Sequence, residues 1–196
     1  MSALADYLDL RFAVGDHVGN RAISDVMPRL VLSAESWLNK NLRCRQQIVT
    51  DTLTFVGGVA ALPVDFIEMM NVYGLNGFQY RSGGLADARR SGAEYARYAI
   101  DATSINIKGY SGDRDIQYYA KLPTLTAGPT TSNWLLQDAP DVYLYAVGWE
   151  AAKFLKNAEL AAATKGLLED ELMTLKVDDD RARWSNTTVR VQGCTP

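Results

Sequence analysis

Hydrophobic periodicity changes twice along this chain, and the order of those changes limits its possible folds more than any other feature. From Ile23 to Leu42 the apolar residues Ile23, Val26, Met27, Leu30, Val31, Ala34, Trp37, Leu38 and Leu42 recur at steps of three and four. That recurrence marks an amphipathic helix with one buried face. Gln47 to Val56 instead alternates with period two and is rich in β-branched residues, the pattern of a strand. The helical period returns after Pro140. A chain written this way folds as helices, then strands, then helices, with the strands as an insertion.

The finer signals fill in that frame. Residues 3–12 read as a short helix and 16–20, beside Gly15 and Gly19, as a loop. Pro28 suits a first helical turn, so the regular helix begins near Met27. Gly57-Gly58 is a turn, followed by an extended run to Pro63. Phe66 to Tyr73 is a candidate strand, Asn76-Gly77 a hairpin turn, and Phe78 to Arg81 the return strand. Residues 83–92 form a polar connection, and 95–100, 104–108 and 115–121 complete a set of short strands. Leu122-Pro123 ends them, and a Thr/Ser/Gly/Pro loop (124–132) follows. Asp138 is placed to cap the next helix, with Pro140 in its first turn and Asp141 at the positive end of its dipole. That helix reaches about Lys156 and presents Val142, Tyr145, Trp149, Ala152 and Leu155 on one face. A second helix, from Ala158 to about Val177, presents Leu160, Ala163, Leu167, Leu172 and Leu175. The acidic run Asp178-Asp179-Asp180 is unfavourable at a helix C-terminus, so the chain is expected to leave the helix there. Beyond it, Thr187 to Gln192 is an extended stretch without a local partner. The expected class is α+β: mainly a helical bundle (residues 1–45 and 122–180), an inserted β-rich subdomain (46–121) and an extended C-terminal arm (181–196).

Composition excludes more than it suggests. The formal net charge of −3 over 196 residues argues against a general duplex-binding module, which carries a basic excess. Two cysteines, Cys44 and Cys194, lie far apart with no metal-ligand spacing, and read as thiols in a reducing cytoplasm. The N-terminal residues lack the pattern of a signal peptide, and no stretch reaches the roughly 20 apolar residues of a membrane span. The single histidine, His17, reads as a solvated loop residue, which leaves the usual Ser-His and His-rich metal sites without a second histidine. None of the phosphate-cradling, zinc-protease or nucleophile-elbow motifs occurs. The run Asp178–Asp180 reads as a solvated end, because adjacent carboxylates point in different directions. The aromatics of the second half cannot form a single-strand stacking platform, since Leu122 to Ala152 contains no Lys or Arg. No catalytic residue, metal or cofactor is expected. The rival with chemistry is a cell-wall hydrolase, which needs two carboxylates about 5–10 Å apart across a cleft.

The most distinctive segment is Tyr118 to Ala151. Tyr118-Tyr119 with Leu122-Pro123 leads through the Thr/Ser loop to Asn133-Trp134-Leu135-Leu136, then to Pro140-Asp141 with Tyr143, Leu144 and Tyr145. Leu38-Asn39 with Leu42-Arg43, Leu62-Pro63 with Asp65-Phe66, and Val189-Arg190-Val191 agree in order. This phrase resembles a block found in head-to-tail adaptor (connector) proteins of tailed bacteriophages; residues 74–112 depart from it. The resemblance implies a structural virion protein at the neck. It would form a twelve-copy ring beneath the portal protein, with tail or nozzle proteins below, DNA passing through without sequence-specific binding, and no membrane. Stopper and tail-terminator proteins are the neck alternatives, beside a tail-associated cell-wall hydrolase, and two long helices favour the adaptor. Under this reading the arm residues Arg181, Arg183, Trp184, Val189, Arg190 and Val191 dock the portal. Tyr118, Tyr119, Pro123, Asn133, Trp134, Asp138, Pro140, Asp141, Tyr143 and Tyr145 hold the fold. Asn133 would bond a loop backbone, Asp138 would cap, and Trp134 would pack on the bundle. Truncating a fully buried tryptophan costs about 3–5 kcal/mol.

Overall fold

The computed structural model describes residues 4–74, 77–88, 97–125, 128 and 131–184, with the backbone alone for Arg21 and Trp184. Helices and strands segregate along the chain, which makes the protein α+β. The chain divides into two compact units, one from residues 1–46 and 122–196, the other from 47–121.

The first unit is helical. Helix α1 (Tyr7–His17) starts where the Asp6 carboxylate accepts from the backbone N–H groups of Leu8 and Asp9. It runs five residues past the expected end because Val14 and Gly15 are buried. It stops at Gly19, whose φ of +67° lets the Gly19 and Asn20 N–H groups close onto Asp16 and Gly15. A 3₁₀ turn (Arg21–Asp25) leads into α2 (Met27–Asn41), with Pro28 in its first turn as expected. Three further helices follow the β unit in sequence: α4 (Trp134–Asp138), α5 (Pro140–Phe154) and α6 (Ala158–Trp184). Helix α5 packs against α1, α2, α4 and α6 around one core that includes Leu10, Met27, Leu38, Tyr143 and Leu168.

Two expected faces shift. In α5 the fully covered residues include Tyr143, Val147 and Ala151, while Tyr145 and Trp149 are only partly buried. The helix has neighbours on several sides, so an apolar stripe does not single out one face. In α6, Leu168 is buried and Leu167 is exposed. The acidic run does not end α6: the helix continues through Asp178–Asp180 to Trp184. Asp179 is buried against Arg45 and Arg183, and Asp178 pairs with Arg181 one turn on, so the charges sit inside a helix with cationic partners.

The second unit carries strands β1 (Ile48–Phe55), β2 (Val59–Ala61), β3 (Phe66–Val72), β4 (Arg81–Ser82), β5 (Arg97–Asp101), β6 (Ser104–Asn106) and β7 (Gly112–Ala120), with a single turn of helix α3 (Leu85–Ala88). One sheet has the order β1-β7-β3 and is antiparallel, with Ile48 opposite Tyr119 and Phe55 opposite Gly112. The other has the order β2-β6-β5-β4, and β4 runs parallel to β5. The expected return strand at 78–81 reduces to a single bridge, Tyr73 to Gln79, before the chain joins β5. Asn76 and the 89–96 segment lie outside the described residues. Phe55, Val72, Ile105 and Ile116 lead this unit's own core. At the turn after β1, Gly58 has φ of +89°, and a Cβ there would meet the Ile107 carbonyl oxygen at 2.6 Å, so only glycine fits.

Candidate functional site

The helical unit is interrupted in sequence, and the described residues Leu122 to Leu125, where the chain returns to it, lie outside any strand. Polar side chains bond the backbone there, two of them from α2. Glu35, 3% exposed, accepts from the Leu125 N–H at 2.7 Å and from the Tyr143 hydroxyl. Asn39 Oδ1 accepts from the Leu122 N–H at 2.8 Å. Asn133 works in both directions: its Nδ2 donates to the Pro123 carbonyl at 2.9 Å, and its Oδ1 accepts from the Leu136 N–H at 3.0 Å, capping α4. Buried backbone groups left unpaired cost about 1–3 kcal/mol each, so these contacts fix the backbone at Leu122, Pro123, Leu125 and Leu136. Burial pushes the Glu35 carboxyl above the usual carboxylate range, against the opposing pull of its bonds from Leu125, Tyr143 and Thr124. Burial, with the Glu35 charge, pushes the Tyr143 hydroxyl well up.

The distinctive phrase therefore separates into parts with different duties. Pro123, Asn133 and Tyr143 meet in this buried polar seam. Trp134 packs partly buried against the same core, so its truncation should cost less than that of a fully buried tryptophan. Asp138 does not cap α5: the residue before that helix is Ala139, with no side-chain cap, and Asn133 does the capping one short helix earlier. Pro140 and Asp141 do occupy the first turn of α5. Tyr118 belongs to the β unit, where its hydroxyl donates to Asp65 at 3.0 Å; burial, that bond and the nearby carboxylates push it up to about 12. Tyr119, next along β7, is partly exposed.

His17 is not a solvated loop residue. It closes α1, its Nε2 lies 3.1 Å from the Thr164 hydroxyl on α6, and its ring packs tilted on Tyr145 of α5. Burial lowers its pKa. Gly148 makes room for the ring, since a Cβ there would sit 3.0 Å from His17 Cδ2.

At the far end of α6, Asp179 is 6% exposed, accepts from the Arg45 N–H at 2.9 Å and lies 2.7 Å from Arg183 Nε. Arg181 is exposed and pairs with Asp178. Arg181, Arg183 and Trp184 thus lie on the last turns of a helix rather than on an extended arm. Val189, Arg190 and Val191 lie outside the described residues. Sequence periodicity missed Glu35 and Asp179 as organising residues. A signal existed for the first, because Glu35 sits four residues after Val31 and three before Leu38 on the apolar stripe. None existed for the second, whose partner Arg45 lies 134 residues away.

No group of three or more metal-ligating side chains is present among the described residues, and no helix there is long and apolar enough to cross a membrane. Among the described residues, the buried Glu35, Asn133 and Asp179 of the helical unit bond to backbone groups and to neighbouring side chains. Residues 5–192 match the family described as SU10 adaptor protein, and the chain belongs to that family. It is a family of phage structural adaptors, virion-associated proteins that contact other head and tail components, and not a family of enzymes. Curated proteins offer no match to the chain.

Proposed function

We propose that the chain is one subunit of a head-to-tail adaptor ring that docks beneath the phage portal at the virion neck, joins the capsid to tail or nozzle proteins and lets DNA pass through. The observation that carries this reading is the family match, which spans both units and the junctions between them in sequence. The helices gathered on α5 are read as a bundle, the β unit as its insertion, and residues 181–196 as the portal-docking region. Arg183 is committed to Asp179, so its part is to fix the helix end, and portal contact falls to Arg181, Trp184, Val189, Arg190 and Val191. The net charge of −3 suits a conduit whose wall must release sliding DNA.

Native mass spectrometry of the protein with the portal of the same phage tests this. A discrete ring with about one chain per portal subunit is the expected result. No complex in either order of addition would overturn it. A chain ending at Asp180 that still bound portal normally would refute the role of the arm.

A further inference from the structure

The two ends of helix α5 carry opposite chemistry, and each end is completed by a different neighbour. At its N-terminal end, Asp138 and Asp141 face Glu171 and Asp178 of α6 across a groove of about 170 Å³. That groove shares Thr174 and Asp178 with a second, of about 430 Å³, lined by Asp170, Met173, Val177 and Arg181. Met173 is 69% exposed and Val177 39%, so the outer face of α6 there is an apolar strip rimmed by five carboxylates. The cation that lines it, Arg181, is already paired with Asp178.

At the C-terminal end of α5, Phe154 is 45% exposed and the Arg29 guanidinium lies over its ring at 5.8 Å. Leu32, 54% exposed, follows Arg29 on the outer face of α2, and Ser36 and Lys40 continue that face without an acid. Exposed Lys156 follows α5 directly. This end is an apolar strip rimmed by Arg29 and Lys156. All of these residues lie in the helical unit, and the 15 residues of α5 hold the two strips roughly 20 Å apart.

We infer that the acid-rimmed strip of Met173 and Val177 on one copy receives the base-rimmed strip of Arg29, Leu32 and Phe154 on the next copy of the same chain. A contact between two different patches is heterologous, so each copy keeps one patch open for a further neighbour until a ring closes. Charge complementarity selects the occupant: acid against acid or base against base disfavours the isologous pairing, while acid against base favours the heterologous one. The inference rests on the ring reading above and specifies which surfaces make the ring.

Cross-linking tests it on the full chain bound to portal. In a background with Cys194→Ser, the paired substitutions Leu32→Cys and Met173→Cys are exposed to a short bis-maleimide. The expected product is a ladder of adaptor multimers from the double variant, from neither single variant alone, and a dimer when the two single variants are mixed. Arg29→Glu and Glu171→Arg should each weaken assembly about tenfold, and together restore it. Circular dichroism on each variant confirms that the fold survives. A ring on the portal without the ladder, or a cross-link from position 173 to the portal itself, overturns the assignment of surfaces and leaves the ring reading standing. No multi-copy complex at all overturns both.

Discussion

The helical and β units solve the same problem, satisfying the backbone, by different means. The β unit is continuous in sequence, and its strands pair in register, so ladders do most of the work. Two of its side-chain pairs, Thr52 with Asp115 and Thr54 with Asp113, sit on the exposed surface. The helical unit is discontinuous, and where the chain returns at Leu122 to Leu125 it lies outside any strand and buries Leu122 and Leu125 in the core. There, Glu35, Asn39 and Asn133 supply the missing partners. The difference teaches that a polar side chain gains structural weight in proportion to how little regular backbone pairing surrounds it.

Four experiments would break or sharpen that contrast, and one probe helps throughout. All four tryptophans, Trp37, Trp134, Trp149 and Trp184, belong to the helical unit, so their fluorescence reports it alone. The largest effect is expected from Glu35→Ala. It strands the Leu125 N–H and the Tyr143 hydroxyl in the core, and should lower stability by about 4 kcal/mol in urea unfolding followed by that fluorescence. A loss below about 1 kcal/mol would mean that water or a rearranged loop replaces the carboxylate. Asn133→Ala comes next, at about 2–3 kcal/mol, because it removes a helix cap and a part-buried bond to the Pro123 carbonyl together. Asn133→Ser, which keeps the cap but cannot reach Pro123, should recover only part of that loss.

The third test uses pH. His17 has its folded pKa lowered from 6.5 by burial, so below that value the unfolded chain takes up a proton that the folded chain resists. Stability is therefore lost as pH falls through 6.5 toward the folded value. Glu35 runs the other way: its folded pKa is raised from 4.5, so its burial costs most when it is ionised and less as pH falls through the raised value. Comparing the wild-type chain with His17→Gln isolates the first contribution, since Glu35 is common to both. Between about pH 7.5 and 5.5 the wild type should lose more stability than the variant, and equal losses would place His17 in water. The smallest effect belongs to the β unit. Thr54→Val removes an exposed bond and keeps a β-branched shape, so circular dichroism melts should move by no more than about 0.5 kcal/mol. A larger change would erase the contrast between the units.

Much of the architecture was legible in the sequence because periodicity is a local property. Helix α2, strands β1, β3 and β7, and the Gly57-Gly58 turn fall where the pattern puts them. Several of the errors involve partners distant in sequence. Asp178–Asp180 reads as a helix stop until Arg45 appears beside Asp179. His17 reads as a loop residue until Thr164 and Tyr145 close over it. Tyr145 outranks Tyr143 until α5 proves to be covered on several sides. The organising seam escaped for the same reason: Glu35 and Tyr143 are 108 residues apart, and nothing in either neighbourhood announces the other.

The pairing of β1 with β7 has a consequence for how such a chain can diversify. Ile48 and Tyr119 are direct partners, so the β unit begins and ends about one strand spacing apart, roughly 5 Å. A helical scaffold interrupted at such a point meets only a narrow gap, whatever is hung from it. Lineages can lengthen, shorten or replace the hanging part without redrawing the scaffold, provided the two flanking strands still clasp.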